Sequence, residues 1–409
     1  MIWPLRKLRS AGRSCSRITR WNSLTVGCLA LALLVLAACG QPVHTHVPLR
    51  AHATVTPTSG IHLDWRPTTF PQMKVFAIAP GDGDIAYACQ VVSERHVTLS
   101  VTRDRAVHWT HAGDIALAED ANQCFITVDG LQPTTMVVAT IWEPKGASPV
   151  IAFFKNHVTF DGGATWRTLS PPKPYSVSQI ATLNGVIYGH LLVAEGEQDI
   201  PELAISRDQM RTWRPILDKV SEFPDNNNSY FWLNPSNGAL LTKGGSAFWA
   251  SSDAGAHWTR VNVPGLATQG TETLVQAPVA NQPWRICAVG NDELNPRDLQ
   301  PNTLSCSFNG GQTWQSEPGL NFTSTSVKGT FALPATVFAL ASDGAVLASA
   351  IISGDPVVGN EYRLMPGARM WQSLGEPTAA IGEVQYYPAP SGGVLWGDFA
   401  AGYVTASYP

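Results

Sequence analysis

Thr159-Phe160-Asp161-Gly162-Gly163-Ala164-Thr165-Trp166 is the stretch that decides the fold. An alternating run, Val158-Thr159-Phe160, reads as a half-buried strand. Asp and Gly then make a tight turn, in which the carboxylate accepts backbone N–H bonds and Gly supplies positive φ. Trp166 opens the next strand and offers a large apolar ring for burial. The same frame recurs at Thr102–Trp109, Ser206–Trp213, Ser251–Trp258 and Ser307–Trp314, and in decayed form at Leu364–Trp371. Seven places before Trp stands Ser or Thr in five of six copies, and five before it Asp or Asn in five of six. The tryptophans Trp109, Trp166, Trp213, Trp258, Trp314 and Trp371 lie 57, 47, 45, 56 and 57 positions apart, the length of one four-stranded sheet per repeat.

Such a repeat specifies an all-β chain: a β-propeller with four-stranded antiparallel blades, each turn joining a third strand to a fourth. In blade five the strands are expected at 273–276, 284–289, 303–308 and 313–315. After Trp371 only 38 residues remain, with strands expected at 381–387, 393–399 and 402–408 and no further repeat turn. Ile61-His62-Leu63-Asp64-Trp65 is expected to complete this last blade, which closes the ring and removes an open sheet edge. The count is then seven blades; six is the alternative, with 372–409 as a cap.

The repeat resembles the Asp-box, S-x-D-x-G-x-T-W, also called the BNR repeat. It occurs in sialidase-like propellers, sortilin-type receptors, some glycosidases and photosystem assembly factors. The resemblance covers residues 61–409 and implies that Asp104, Asp161, Asp208, Asp253 and Asn309 are structural. For a sialidase it implies three Arg gripping a carboxylate, a Tyr nucleophile with a Glu neighbour, and an Asp acid/base. The first Arg sits in an F/Y-R-I-P motif; Trp65-Arg66-Pro67 occupies that place without the Ile. Arg103, Arg207 and Arg211 lie inside the repeat turns, and Tyr386 and Tyr387 have no Glu-rich partner segment.

Composition narrows the class further. The chain has 409 residues, 14% charged and 44% hydrophobic, with 35 Gly, 30 Pro and 14 Trp, which excludes a disordered acidic tail, a coiled coil and a Lys/Arg-rich nucleic-acid binder. Residues 1–23 carry six cations and no acid, and Leu24–Ala38 is an apolar run of about 15 residues, short of the ~20 of a spanning helix. Leu36-Ala37-Ala38-Cys39-Gly40 looks like a bacterial lipobox. Residues 1–38 therefore read as a lipoprotein signal peptide, with Cys39 lipidated and 39–60 a Pro/Thr/His-rich tether. Cleavage leaves 21 Lys and Arg against 31 Asp and Glu, a net charge of −10, which argues against nucleic acid as a partner.

Four cysteines remain in the folded part. Cys287 and Cys306 fall on the expected second and third strands of one blade and are paired on that ground; Cys89–Cys124 follows by elimination. Buried free thiols are the alternative. No metal or cofactor is expected, since neither Cys-x-x-Cys nor His-x-x-x-His occurs.

Loops between second and third strands are expected at 143–149, 195–202, 291–302 and 354–360, around the channel mouth. Glu195, Glu197, Asp199 and Glu202, with Asp292 and Glu293, make them the candidate binding surface. The expected protein is an exported lipoprotein on the outer face of the cell membrane or in the periplasm. It displays these loops to a protein or carbohydrate ligand without catalysis. A diverged sialidase-like glycoside hydrolase of exo-alpha type and a photosystem-type assembly factor are the alternatives.

Overall fold

The structure is a computed structural model. It describes residues 63–69, 75–142, 153–170, 175–195, 198–217, 231–244, 247–261, 274–276, 285–290, 303–309, 313–318, 322–326, 329–333, 335–352, 358–374, 381–390, 392–399 and 402–408. The chain divides into Met1–Ala51, which lies outside the described residues, and His52–Pro409.

Among the described residues of the second unit, seven four-stranded antiparallel sheets form the blades of a β-propeller. Blade 1 is Val75–Ala79, Asp82–Ser93, His96–Thr102 and Thr110–Ala116; blade 2 is Gln123–Val128, Met136–Trp142, Phe153–Thr159 and Arg167–Thr168. Blade 3 is Tyr175–Leu183, Val186–Glu195, Gln198–Ser206 and Arg214–Pro215; blade 4 is Phe231–Leu233, Leu240–Gly244, Ala247–Ser251 and Thr259–Val261. Blade 5 is Leu274–Gln276, Ile286–Gly290, Thr303–Ser307 and Gln315–Glu317; blade 6 is Ala335–Leu340, Val346–Ile352, Val358–Leu364 and Gln372–Ser373. Blade 7 is Ile381–Ala389, Gly392–Phe399 and Gly402–Tyr408, completed by Arg66–Pro67. First strands of successive blades touch, as in blades 1, 2 and 3 and blades 5, 6 and 7, so they surround the axis. The fourth strands are outermost.

The closing strand lies two residues beyond the span expected for its end: Arg66 and Pro67, not 61–65, pair with Thr405 and Val404. The reason is the register of the repeat. In each of the other blades the turn tryptophan immediately precedes the fourth strand, and Trp65 holds that same place before Arg66. Thr68 and Thr69 continue the clasp, donating their N–H groups to the carbonyls of Tyr403 and Ala106 at 2.9 and 3.0 Å. Arg105, held by Asp84 of its own blade at 2.6 Å, reaches across the seam to the Ser407 hydroxyl, and Trp396 Nε1 donates to Gly83 O at 3.0 Å. A hairpin, Phe322–Ser326 with Gly329–Leu333, sits between blades 5 and 6 and has no counterpart in the sequence reading.

The core is a ring of inter-blade clusters, and each takes at least one repeat-turn tryptophan. Trp109 packs with Phe76, Ala86 and Val394 where blade 7 meets blade 1, and Trp166 with Leu99 and Met136 where blade 1 meets blade 2. Trp213, Trp258 and Trp314 fill the next three seams. Trp371, 1% exposed, and Trp65 join the cluster spanning blades 5 to 7. Trp109, Trp166, Trp213, Trp258 and Trp314 are partly buried, so each supplies a fraction of the roughly 1.5–3 kcal/mol of a fully buried large apolar side chain.

Candidate functional site

Five of the six repeat turns are closed hydrogen-bond networks; the decayed Leu364–Trp371 copy lacks both the hydroxyl and the carboxylate. Oδ1 of Asp104, Asp161, Asp208, Asp253 and Asn309 accepts the backbone N–H four residues on, at 2.9, 2.9, 2.9, 2.8 and 2.8 Å. The hydroxyl two residues earlier donates to the same Oδ1, from Thr102 at 2.8 Å, Thr159 at 2.6 Å, Ser206 at 2.9 Å, Ser251 at 2.8 Å and Ser307 at 3.0 Å. Oδ2 takes the side chain before Trp: Thr165 and Thr212 Oγ1 at 2.6 Å, and, where His replaces Thr, Nδ1 of His108 and His257 at 2.6 and 2.5 Å. Hydroxyl donation from Thr159 holds the Asp161 carboxyl down at about 2, and that from Thr212 does the same for Asp208. The His257 backbone N–H holds Asp253 below the usual carboxylate range. These groups stay ionised and are not acid catalysts.

The turn requires two consecutive positive φ values. Gly162 and Gly163 supply 75° and 102°, but Arg105 and Ala106 adopt 62° each, and Gln209 and Met210 adopt 60° and 66°. The left-handed region is reached without glycine because the Ser/Thr hydroxyl fixes the third residue: Thr102 Oγ1 accepts Ala106 N–H at 2.9 Å and Ser206 Oγ accepts Met210 N–H at 2.8 Å.

The remaining candidates divide. Glu195, Asp199 and Glu202 lie on paired strands rather than in a long loop: Glu195 faces Gln198, Asp199 faces Ala194, and Glu202 faces Leu191. Continuous backbone pairing with Ile187–Glu195 carries the ladder through the acidic stretch. Asn360 likewise pairs with Ala350, within blade 6. Glu197, Asp292, Glu293 and Cys39 lie outside the described residues. Cys287 is bonded to Cys306 between directly opposed strand positions, with Cα atoms 4.1 Å apart. Cys89 on blade 1 is bonded to Cys124 on blade 2, with Cα atoms 6.3 Å apart.

Among the described residues, the sialidase candidates lie apart: Arg103, Arg207 and Arg211 in the repeat turns of blades 1 and 3, and Tyr386 and Tyr387 on the first strand of blade 7. Arg66 lies on the outermost strand of blade 7, with its side chain 75% exposed and paired to Asp64 at 2.8 Å. Trp65-Arg66-Pro67 repeats Trp213-Arg214-Pro215 of blade 3 in sequence and in place, so it is a fourth-strand motif. The Tyr386 hydroxyl bonds Ser342 N–H at 2.8 Å and Ser342 Oγ at 2.9 Å, and burial pushes its pKa up.

Sequence reasoning missed a second repeated device. At the first hairpin of a blade, a side-chain oxygen caps the N–H two residues on: Asp82 to Asp84 at 3.1 Å, Asp129 to Leu131 at 2.8 Å, Asn234 to Ser236 at 2.9 Å and Asp343 to Ala345 at 2.9 Å. Asp-Gly pairs at 129–130 and 343–344 are its sequence signal. Asp129 is fully buried and also takes Thr182 Oγ1 at 2.5 Å, which ties blade 2 to blade 3. Also missed were the buried histidines His157 and His190 and the buried Arg285–Glu317 pair, 3.5 Å apart. No alternation reports which polar residues face inward between blades. A cleft of about 200 Å³ lies at the seam of blades 2 and 3, lined by Phe160, Trp166, Arg167 and Gln209.

Fold and turns together define a seven-bladed β-propeller repeat protein. No protein-family model matches the chain, and no curated protein matches it in sequence. Among solved structures it is similar to the GH74 xyloglucanase from Xanthomonas campestris, at 14% identity and a TM-score of 0.43, over 76% of this chain and 46% of that one. It is similar to an ancestral GH74 enzyme at 12% identity and 0.47, over 83% and 45%, and to U3-55K at 9% and 0.44, over 85% and 100%. The chain spans less than half the length of these two GH74 proteins. Likeness at this level assigns no activity.

Proposed function

We propose that this propeller is a non-catalytic binding module, exported and held to a membrane by lipid on Cys39, which presents the loops opposite its repeat turns to a protein or glycan. We also read its repeat turns as Asp-boxes. The observation that carries the reading is the placement of the reactive side chains. The repeat carboxylates are bound up in their turns, Arg66 sits on the outer rim, and the Tyr386 hydroxyl is bonded to Ser342. Two disulfides support an oxidising compartment.

The test is capture from detergent-solubilised envelope. A specific partner, lost when Glu195, Asp199 and Glu202 are changed to Gln, Asn and Gln, supports the reading. Turnover of a fluorogenic sialoside that Arg66→Ala abolishes would overturn it in favour of a sialidase-type hydrolase. For the anchor, Cys39→Ser is expected to move the protein from the membrane to the soluble fraction.

A further inference from the structure

Both disulfides sit in apolar clusters, and they differ in the charge placed beside them. Cys89–Cys124 lies in an apolar cluster with Val97, Leu99 and Val128. Cys287–Cys306 is equally buried, both residues 0% exposed, but a guanidinium lies against it. Arg285, 4% exposed, places Nη2 3.8 Å from Cys306 Sγ and its guanidinium carbon 5.0 Å from the centre of the Phe308 ring. Its carboxylate partner, Glu317, is 3.5 Å away, and Nε and Nη1 are buried without an acceptor. A buried cation with unpaired N–H groups gains most from a nearby anion. The anion that this position can generate is a Cys306 thiolate.

We propose that Cys287–Cys306 is a redox-modification site, reduced ahead of Cys89–Cys124, and that Arg285 is the positioning residue that makes it so. The co-reactant is a dithiol, admitted by local opening of blade 5. Its thiolate attacks Cys287 Sγ, the S–S bond breaks, and the electron pair leaves on Cys306 Sγ beside the guanidinium. The second thiol of the reductant gives up its proton and displaces Cys287, which takes a proton and ends as a thiol. Two electrons pass to the protein and the reductant ends as a disulfide. Stabilising the Cys306 thiolate favours the reduced form, a bias that comes from Arg285 and that the apolar side chains around Cys89–Cys124 do not supply.

The full chain in detergent is equilibrated with graded dithiothreitol, quenched with acid, alkylated and mapped by mass spectrometry. Cys287 and Cys306 are expected to be reduced at a milder ratio than Cys89 and Cys124. Arg285→Met is expected to lower the reduction equilibrium constant of Cys287–Cys306 about tenfold, which is about 30 mV for a two-electron couple, and to leave Cys89–Cys124 in place. Arg285→Lys retains part of the effect. Glu317→Gln removes the competing carboxylate and moves the midpoint the other way. Reduction of Cys89–Cys124 first, or a midpoint unmoved by Arg285→Met, overturns the proposal. If Arg285→Met does not fold, a Glu317→Gln midpoint equal to the wild type, or shifted toward harder reduction, overturns it equally.

Discussion

His157 and His190 are 3% and 4% exposed, on blades 2 and 3. His157 bonds Thr168 Oγ1 at 3.0 Å and Thr140 Oγ1 at 3.2 Å; His190 bonds Ser178 Oγ at 2.5 Å. Burial drives both imidazoles down to about 4, with Lys155 adding to the effect at His157. The unfolded chain therefore binds these protons more tightly than the folded one. Stability is complete above pH 6.5 and is lost as pH falls toward 4, by roughly 3 kcal/mol per histidine once both are charged. Asp161 and Asp208 act lower, since their depressed pKa values stabilise above the ordinary carboxylate range and fail only as pH approaches 2. Urea unfolding at pH 7, 5.5 and 4.5 is expected to show falling free energy in the wild type. The double variant His157→Gln, His190→Gln should show a flatter dependence; an equally steep one would refute the assignment.

At the scale of the element, the repeat turn is built to meet its neighbour. The turn of blade 2 packs Gly163 against Gly113 on the outer strand of blade 1, where an added Cβ would collide with the Gly163 carbonyl oxygen and come within 3.5 Å of Trp166 Nε1. A β-bulge between Leu99 and Ser100 against Gly113 and His111 brings the strands to that approach. Gly113→Ala is expected to wedge blades 1 and 2 apart and to destabilise by about 1–3 kcal/mol, as overpacking does, read as a lowered thermal midpoint.

For the whole molecule, the closing strand decides whether the ring is one cooperative unit. It contributes only Arg66 and Pro67 to the ladder, but Thr68, Thr69 and Trp65 extend it into the seams on both sides. Its absence would uncover the Gly402–Tyr408 edge and the carbonyl of Ala106. A chain beginning at residue 71 is therefore expected to unfold at a markedly lower temperature, and to associate through the exposed edge, as measured by calorimetry and light scattering. Unchanged unfolding and a monomeric state would show that the remaining contacts between blades 7 and 1, Arg105, Trp396 and the apolar cluster around them, close the ring without it.

The sequence by itself determined the blade and favoured seven of them, and the pairing of Arg66 and Pro67 with Thr405 and Val404 decided between seven and six. The tryptophan period, the Ser/Thr and Asp/Asn columns and an N-terminal strand left over for a three-stranded last blade are local patterns, and local hydrogen bonds make them legible. Six repeat turns serve seven blades because the seventh has its fourth strand at the other end of the chain, so no turn joins it to the third. Tertiary structure alone decided the rest. Whether Glu195–Glu202 was loop or ladder depended on partners in the neighbouring strand, and whether Arg66 faced a channel or the outer rim depended on sheet order. The setting of Arg285 against Cys306, and of His157 and His190 against buried hydroxyls, depended on which side chains the neighbouring strands of one blade bring together. Those contacts join residues with no shared period, and burial, not spacing, gives them their chemistry.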